Sequence, residues 1–342
     1  MSFDYHSRLT LRDFTTFHDA TLEFVPGLNV IIGENGSGKT HILKALYAWQ
    51  TARHLADNGR SAEYARVFAD TYGARSAAEL QRASPKIAEV SGRFGNSEWS
   101  VAFQAGNATD NGVRPTVTRP VFIPAIDMMA HARNMTGILR DYADFDRTCF
   151  DFVSMVTAQP ARTDEDPPGP DIGSMRALLP GAVDWDDEEQ RFHVDEDGRR
   201  MPFALAAEGV RKVAALQRLV DGGWLRPGGV LLWDEPEASV NPVWIDEIVE
   251  ALVALVQHGV QVFVATHNYV VLKQTDLTLR RRRARGEPDT PVRFVALQRQ
   301  RKVSRATWSD HFSDLDPNAI LDQYDQMLDE DLRLADLSDG EQ

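Results

Sequence analysis

Hydrophobic residues along this chain gather in short apolar runs, and the stretches between several of them carry helical patterning. That arrangement belongs to a largely parallel sheet covered by helices. Residues 9–11 and 21–25 alternate as two opening strands. Residues 28–32, Leu-Asn-Val-Ile-Ile, have the character of a buried strand, and a helix is predicted from His41 onward. Two later runs look alike: residues 230–233, Val-Leu-Leu-Trp, and residues 262–266, Val-Phe-Val-Ala-Thr. The middle of the chain is less regular. It predicts helices over 62–72 and 77–83, β segments over 87–94, 98–104 and 116–123, and helix again over 138–156. Residues 163–170, with four prolines within 160–170, read as a flexible loop, and the acidic run 184–189 reads as a solvated turn. No heptad pattern is sustained, which excludes a coiled coil.

The residues just past each apolar run carry the chemistry. After residues 28–32 comes Gly33-Glu34-Asn35-Gly36-Ser37-Gly38-Lys39-Thr40, which fits the G-x-x-x-x-G-K-[ST] phosphate loop in its required strand-to-helix context. Glycines let the backbone aim its N–H groups at phosphate oxygens, and the following helix N-terminus, opening at His41, favours the same anion. Lys39 should reach the β and γ phosphates, and the Thr40 hydroxyl should ligate Mg²⁺. After residues 230–233 come Asp234 and Glu235, then Pro236. A strand end delivers both carboxylates to one sheet edge. Asp234 is placed to hold Mg²⁺, and Glu235 to orient or deprotonate an attacking water. After residues 262–266 stands His267, able to contact a γ-phosphate and sense its loss.

These motifs together resemble the OLD/SMC-like branch of the ABC-class ATPases, bacterial proteins often called "AAA family ATPase". The resemblance rests on residues 9–46, on Trp-Asp-Glu-Pro-Glu-Ala-Ser-Val-Asn-Pro at 233–242 and on residues 260–272, with 122–131 similar to a segment between them. It implies an α/β P-loop fold of ABC-ATPase type. A mixed, mainly parallel sheet would form its core, with an N-terminal antiparallel β lobe and a mostly helical insertion. Residues 1–50 and 203–342 would form the ATPase head. Residues 51–202 would form the insertion, β first and then helical, with a flexible loop at about 160–190.

The resemblance further implies ATP and Mg²⁺ as cofactors, held by residues 33–41, Thr40 and Asp234. It gives catalytic roles to Lys39, Glu235 and His267. Ala207, Glu208, Gly209, Arg211 and Lys212 occupy the place of a signature segment that faces the ATP of a partner subunit. Ser239 and Asn241 would lie at that interface, in a head-to-tail homodimer or larger homo-oligomer. The chain departs from the pattern at three points. Ala207 replaces a serine hydroxyl, Thr15 replaces an arginine of repair-type relatives, and residues 122–127 lack the expected glutamine. Asp127 is the one acid there and a candidate substitute near Mg²⁺. The departures argue against a transporter subunit and leave an ATP-locked scaffold with little turnover as the alternative. The 75 residues after His267 leave no room for a TOPRIM nuclease domain, so a separate nuclease or toxin effector is expected.

Composition narrows the setting. The chain has 342 residues, 43% hydrophobic, with a formal net charge of −14, which argues against general polyanion binding. No apolar run is long enough for a membrane span, and the N-terminus lacks a signal-peptide core. One cysteine, Cys149, fits a reducing cytoplasm and is expected to be buried. His54, His131 and His193 are scattered and expected at the surface. Residues 273–305 carry eleven basic and three acidic side chains. The group at Arg280–Arg285 is either a nucleic-acid patch or a solvated surface neutralised by the acidic tail.

Overall fold

In the computed structural model, which describes residues 3–59, 63–82, 87–112, 114–135, 145–158, 169–300, 303–316 and 319–339, three sheets organise the chain. Strands β1 (His6–Phe14) and β2 (Phe17–Glu23) form a hairpin, and β3 (Leu28–Gly33) runs into helix α1 (Lys39–Asp57). Helix α2 (Tyr64–Tyr72) precedes β4 (Ala88–Phe94), β5 (Ser97–Gln104), β6 (Asn107–Gly112) and β7 (Val121–Ile123). Helices α3 (Ala132–Met135), α4 (Arg147–Thr157) and α5 (Gly173–Arg176) lead to β8 (Ala182–Asp186), β9 (Arg191–Glu196) and β10 (Arg199–Pro202). Then come α6 (Glu208–Asp221), β11 (Val230–Asp234), α7 (Ile245–Gln257), β12 (Gln261–Thr266) and α8 (Tyr269–Ala284). The hairpin β13 (Val292–Gln300) and β14 (Val303–Ser309) and helix α9 (Ala319–Asp339) complete the described chain.

The central sheet has the order β14-β13-β3-β12-β11-β7, parallel from β13 to β7 with β14 antiparallel at its edge. Period-two alternation sorts its strands into two cores. Val30, Ile32, Leu231, Trp233, Val262 and Val264 face the side covered by α4, α6 and α7. Ile31, Leu232, Phe263 and Ala265 face α1 and the antiparallel sheet. Burying a side chain such as Leu232 contributes roughly 1.5–3 kcal/mol, so a strand apolar on both faces is stable only inside such a sandwich.

The antiparallel sheet has the order β2-β1-β4-β5-β6. The expected insertion over 51–202 is therefore divided. β4, β5 and β6 extend the N-terminal sheet, β7 joins the central sheet, and β8, β9 and β10 form a third sheet of their own. Strand pairing decides this, because the exposed edge of β1 offers a register that β4 fills from Glu89 to Phe94.

Four local expectations change. The predicted strand 116–123 shrinks to Val121–Ile123, since Pro115 and Pro120 withhold ladder donors. The Asn- and Asp-rich β6, unrecognised as a strand, pairs along its length with β5. The supposed acidic turn begins as a strand: Val183 and Trp185 point inward while Asp184 stays exposed. The helix predicted over 77–83 is a single tight turn, Ala77–Leu80. Residues 138–144 of the predicted helix and 163–168 of the predicted loop lie outside the described residues. Cys149 is buried on α4, and burial pushes its thiol up to about 12. His193 is buried rather than at the surface, its Nε2 3.2 Å from Glu189.

Candidate active site

β3, β12 and β11 are parallel neighbours, so their carboxyl ends open on one edge of the sheet. The phosphate loop, the acidic pair and His267 all come directly after those ends. The loop enters α1 through Gly38, whose φ is 102°. A Cβ at Gly38 would stand 2.6 Å from the Phe17 ring, so only glycine fits. No side chain caps α1 and its first turn holds no acid, which leaves its N–H groups for an anion. Glu34, Asn35 and Gly36 line the exposed rim of the loop, and Ser37 Oγ is buried with no hydrogen-bond partner. Lys39 is buried, its Nζ donating to the carbonyls of Gly33 at 2.8 Å and Glu34 at 3.2 Å. Burial lowers its pKa, against the opposing pull of Glu235, Asp234 and Glu237. His41 packs its ring edge-on against Tyr72, and burial lowers its pKa to about 4.

Thr40 Oγ1 donates to Asp234 Oδ2 at 2.7 Å, joining residues 194 positions apart in sequence. Asp234 Oδ1 is buried and has no partner, and burial holds the carboxyl above its ordinary range. A hydroxyl beside an unsatisfied carboxylate oxygen fits Mg²⁺, which is commonly held by one or two carboxylates plus substrate phosphates. Among the described residues no group of three or more His, Cys, Asp or Glu could hold a metal unaided. Thr40 and Asp234 would thus hold the ion together with a nucleotide.

Glu235 has a φ of 49°, in the left-handed region. For a side chain with a Cβ this costs on the order of 1–3 kcal/mol, a strain that collects at functional sites. Its N–H donates to Ala265 O at 2.8 Å, and its Oε1 lies 3.0 Å from His267 Nδ1. His267 is half exposed, open to an incoming group. Sequence reasoning passed over a third acid, Glu237. Its Oε1 accepts from Thr266 Oγ1 at 2.5 Å and lies 3.9 Å from His267 Nδ1. Its Oε2 is buried without a partner, and burial pushes the carboxyl upward. The available signal was a second Glu two positions beyond Glu235, on a turn that folds back under the strand ends.

Helix α6 starts at Glu208, with Ala207 as an N-cap that offers no side-chain bond. A Cβ on Gly209 would stand 2.9 Å from Ser239 O, so this helix start and the segment after the acidic pair pack together within one subunit. Ser239 is exposed, at a φ of 61°, and the exposed Asn241 caps the next turn by accepting from Val243 N–H at 3.1 Å.

Three of the expected site residues, Arg211, Asp127 and Lys212, are engaged within the subunit. Arg211 does not reach outward: its guanidinium pairs with Asp127 and donates to the Ala204 and Ala206 carbonyls. The other oxygen of Asp127 accepts from Met129 N–H at 3.1 Å and Ala130 N–H at 3.4 Å. Asp127 is thereby committed to Arg211 and its own turn instead of to Thr40 and Asp234. Lys212 also turns inward, 4% exposed, with Nζ donating to the carbonyl of Glu235 at 2.8 Å.

The basic run is largely compensated. Arg280 pairs with Asp276, Arg281 with Asp246, Arg282 with Glu250 and Glu287, Arg283 with Asp289, and Arg285 with Glu287. These acids come from α7, α8 and the loop after α8, not from the acidic tail. Arg299 lies elsewhere, its Nη1 3.1 Å from where a Cβ on Gly36 would stand, against the phosphate loop. Arg301 and Lys302 lie outside the described residues. No helix among the described residues is long and apolar enough to cross a membrane.

Parts of the chain are similar to known proteins. Residues 109–273 match the family described as "AAA domain, putative AbiEii toxin, Type IV TA system", and residues 8–88 match one described as "AAA domain". The crystal structure of an Smc head bound to the C-winged helix domain of ScpA superposes with a TM-score of 0.58 at 13% identity, covering 91% of this chain and 99% of that one. A Pyrococcus furiosus Smc head with an extended coiled coil, bound to the C-terminal domain of ScpA, gives 0.55 at 13% identity, covering 96% and 99%. The DNA replication and repair protein RecF of Edwardsiella ictaluri is 49% identical over 41 residues, 12% of each chain. That of Magnetococcus marinus is 52% identical over 46 residues, 14% of this chain and 12% of RecF. The chain thus spans about an eighth of the length of the curated relatives it matches. It has a mixed α/β, SMC-head-like fold, and residues 8–88 and 109–273 are similar to AAA domains.

Proposed function

We propose that this chain binds and hydrolyses ATP with Mg²⁺ and works as a nucleotide-gated, head-to-tail homodimer. The observation that carries the reading is the Thr40–Asp234 hydrogen bond with the second Asp234 oxygen left buried and unpaired. Beside it, Glu235 and His267 are poised where a γ-phosphate and its water would lie. Residues 33–41 would hold the triphosphate, and Lys39 would neutralise charge on the β and γ groups. Glu235 would orient the water, and His267 would contact the γ-phosphate. Thr40 and Asp234 would hold Mg²⁺, which would supply positive charge to offset that of the phosphates. The uncapped start of α6 at Ala207, Glu208 and Gly209, together with Ser239 and Asn241, would meet the partner's ATP. Exposed Leu205 and Val243, both 76% accessible, supply apolar surface near that face.

The test is Glu235→Gln. ATP binding is expected to persist, hydrolysis to fall by about 10²–10³-fold, and a closed dimer to accumulate on size exclusion with light scattering. Wild-type phosphate release would remove Glu235 from its role. Lys39→Ala is expected to abolish nucleotide binding, and unchanged ATP affinity would sink the phosphate-loop assignment.

For biological role we place the chain in the OLD-like branch, as the cytoplasmic sensor or regulatory ATPase of an anti-phage defence or DNA-maintenance system. Similarity to a family described in toxin–antitoxin terms and to RecF supports that setting. A separate nuclease or toxin would be the effector. A second reading, an ATP-locked scaffold with little turnover, draws on Ala207, which offers no hydroxyl to the partner's phosphate. Steady-state phosphate release separates the two. Co-purification with a membrane permease would instead favour a transporter subunit.

A further inference from the structure

The environment of Lys212 does not suit a residue waiting for a partner subunit. Its side chain is buried, its ammonium donates to the Glu235 carbonyl at 2.8 Å, and Glu237, Glu208, Glu235 and Asp127 all act on it electrostatically. A lysine is stable there only because those carboxylates and that carbonyl offset its lost hydration. Glu235, for its part, needs restraint. Its φ of 49° places a non-glycine residue in a costly conformation, which persists only where the surroundings over-determine it. Its N–H is held by Ala265, its carboxylate faces His267, and its carbonyl accepts from Ala238 N–H at 3.1 Å as well as from the Lys212 ammonium, which ties this turn to α6.

We propose that Lys212 is a positioning residue for Glu235 of its own subunit. Together with Ala238 N–H it fixes the Glu235 carbonyl, and with it the left-handed turn that aims the carboxylate at His267. The inference rests on the reading of Glu235 as the residue that orients water. It also gives α6 a mechanical role. Gly209, three residues before Lys212, packs on Ser239 and Val240, and Arg211 is tied to Asp127. The first turn of α6 therefore grips both the segment after the acidic pair and the peptide of Glu235. A displacement of α6 at its open end moves the Glu235 carbonyl directly, so nucleotide engaged there sets the geometry of the site in the same subunit.

The experiment is Lys212→Met in two backgrounds. In the otherwise wild-type chain, kcat for MgATP is expected to fall about tenfold to a hundredfold, as for a lost hydrogen bond to a charged group. KM should stay within about twofold, as for an interaction that matters only in the transition state. Lys212→Arg, which retains charge and donors, should recover part of kcat. In the Glu235→Gln background, Lys212→Met should leave the ATP-trapped dimer intact, because the glutamate it positions is already disabled.

A wild-type kcat in Lys212→Met overturns the proposal. So does loss of the trapped dimer in the double variant with ATP affinity retained, which would give Lys212 a role across the interface. If Lys212→Met does not fold, Lys212→Gln is measured against the same two outcomes. Failure of the underlying reading looks different: the wild-type chain itself would release no phosphate, or Lys39→Ala would bind ATP unchanged.

Discussion

The two edges of the central sheet treat buried polar groups in opposite ways. At the amino edge, Asn29 and Gln261 are both buried and fully engaged. Asn29 accepts from Val25 N–H at 2.9 Å and donates to the carbonyls of Val25, Gly27 and Val262. Gln261 accepts from His6 N–H at 2.9 Å and donates to the His6 and Val25 carbonyls at 2.8 Å each. At the carboxyl edge of the same strands, Asp234 Oδ1, Glu237 Oε2 and Ser37 Oγ are buried without partners, and Glu235 and Ser239 sit at positive φ. A buried polar group that is satisfied stabilises a fold; one left unsatisfied costs about 1–3 kcal/mol. The amino edge staples the strands together, whereas the carboxyl edge leaves groups unsatisfied that a nucleotide would satisfy under the proposed function.

The comparison can be broken at either edge. The largest effect is expected for Asp234→Asn. Mg²⁺-dependent phosphate release should fall by about 10²-fold or more, while the protein without nucleotide melts at a higher temperature, since the desolvation cost of a buried carboxylate has been removed. A lower melting temperature would mean that Asp234 is structural. Next is Gln261→Leu at the amino edge. It strands three backbone groups and should cost about 2–4 kcal/mol in denaturant unfolding, with KM for ATP unchanged in the folded fraction. A neutral result would remove the contrast.

Glu237→Gln should be smaller and pH-dependent. Burial raises the folded-state pKa of Glu237, so the folded chain binds this proton more tightly than the unfolded chain. Its contribution is fully present below the unfolded value and is lost as pH rises through the folded one. The variant should therefore exceed wild type in melting temperature at neutral pH, and the gap should close as pH falls through that window. A pH-independent gap would place the effect in packing. The smallest change is expected for Arg283→Ala, which removes one exposed ion pair with Asp289 and should alter stability by less than about 1 kcal/mol. A large loss of nucleic-acid binding in this variant would revive the basic-patch reading.

The carboxyl edge was more legible in the sequence than most of the architecture. A phosphate loop must have glycines and Lys-Thr at fixed spacing, and an apolar run ending in paired acids marks a strand end, so residues 33–40 and 234–235 stand out by local chemistry alone. The paths of Arg211, Lys212 and Asp127 did not. Likeness to a signature segment suggested that Arg211 and Lys212 reach toward a partner, and Asp127 was the one acid where a glutamine was expected, but nothing local distinguishes a side chain that turns outward from one that turns inward. Glu237 was missed for the same reason. β4 and β5 are legible as strands and β6 is not, yet the membership of all three in the N-terminal sheet depends on pairing with β1 across long separations in sequence.

By itself, then, the sequence determined the phosphate loop, the acidic pair, His267 and the alternation of strands and helices that makes a P-loop sheet. Each of these is written in neighbouring residues, where spacing and side-chain type suffice. Only the tertiary structure decided that Thr40 meets Asp234, that Arg211 holds Asp127 and that Lys212 grips the peptide of Glu235. Those contacts join residues far apart in the chain. Their partners are chosen by which groups the packed sheets and helices leave buried and in need of a hydrogen bond.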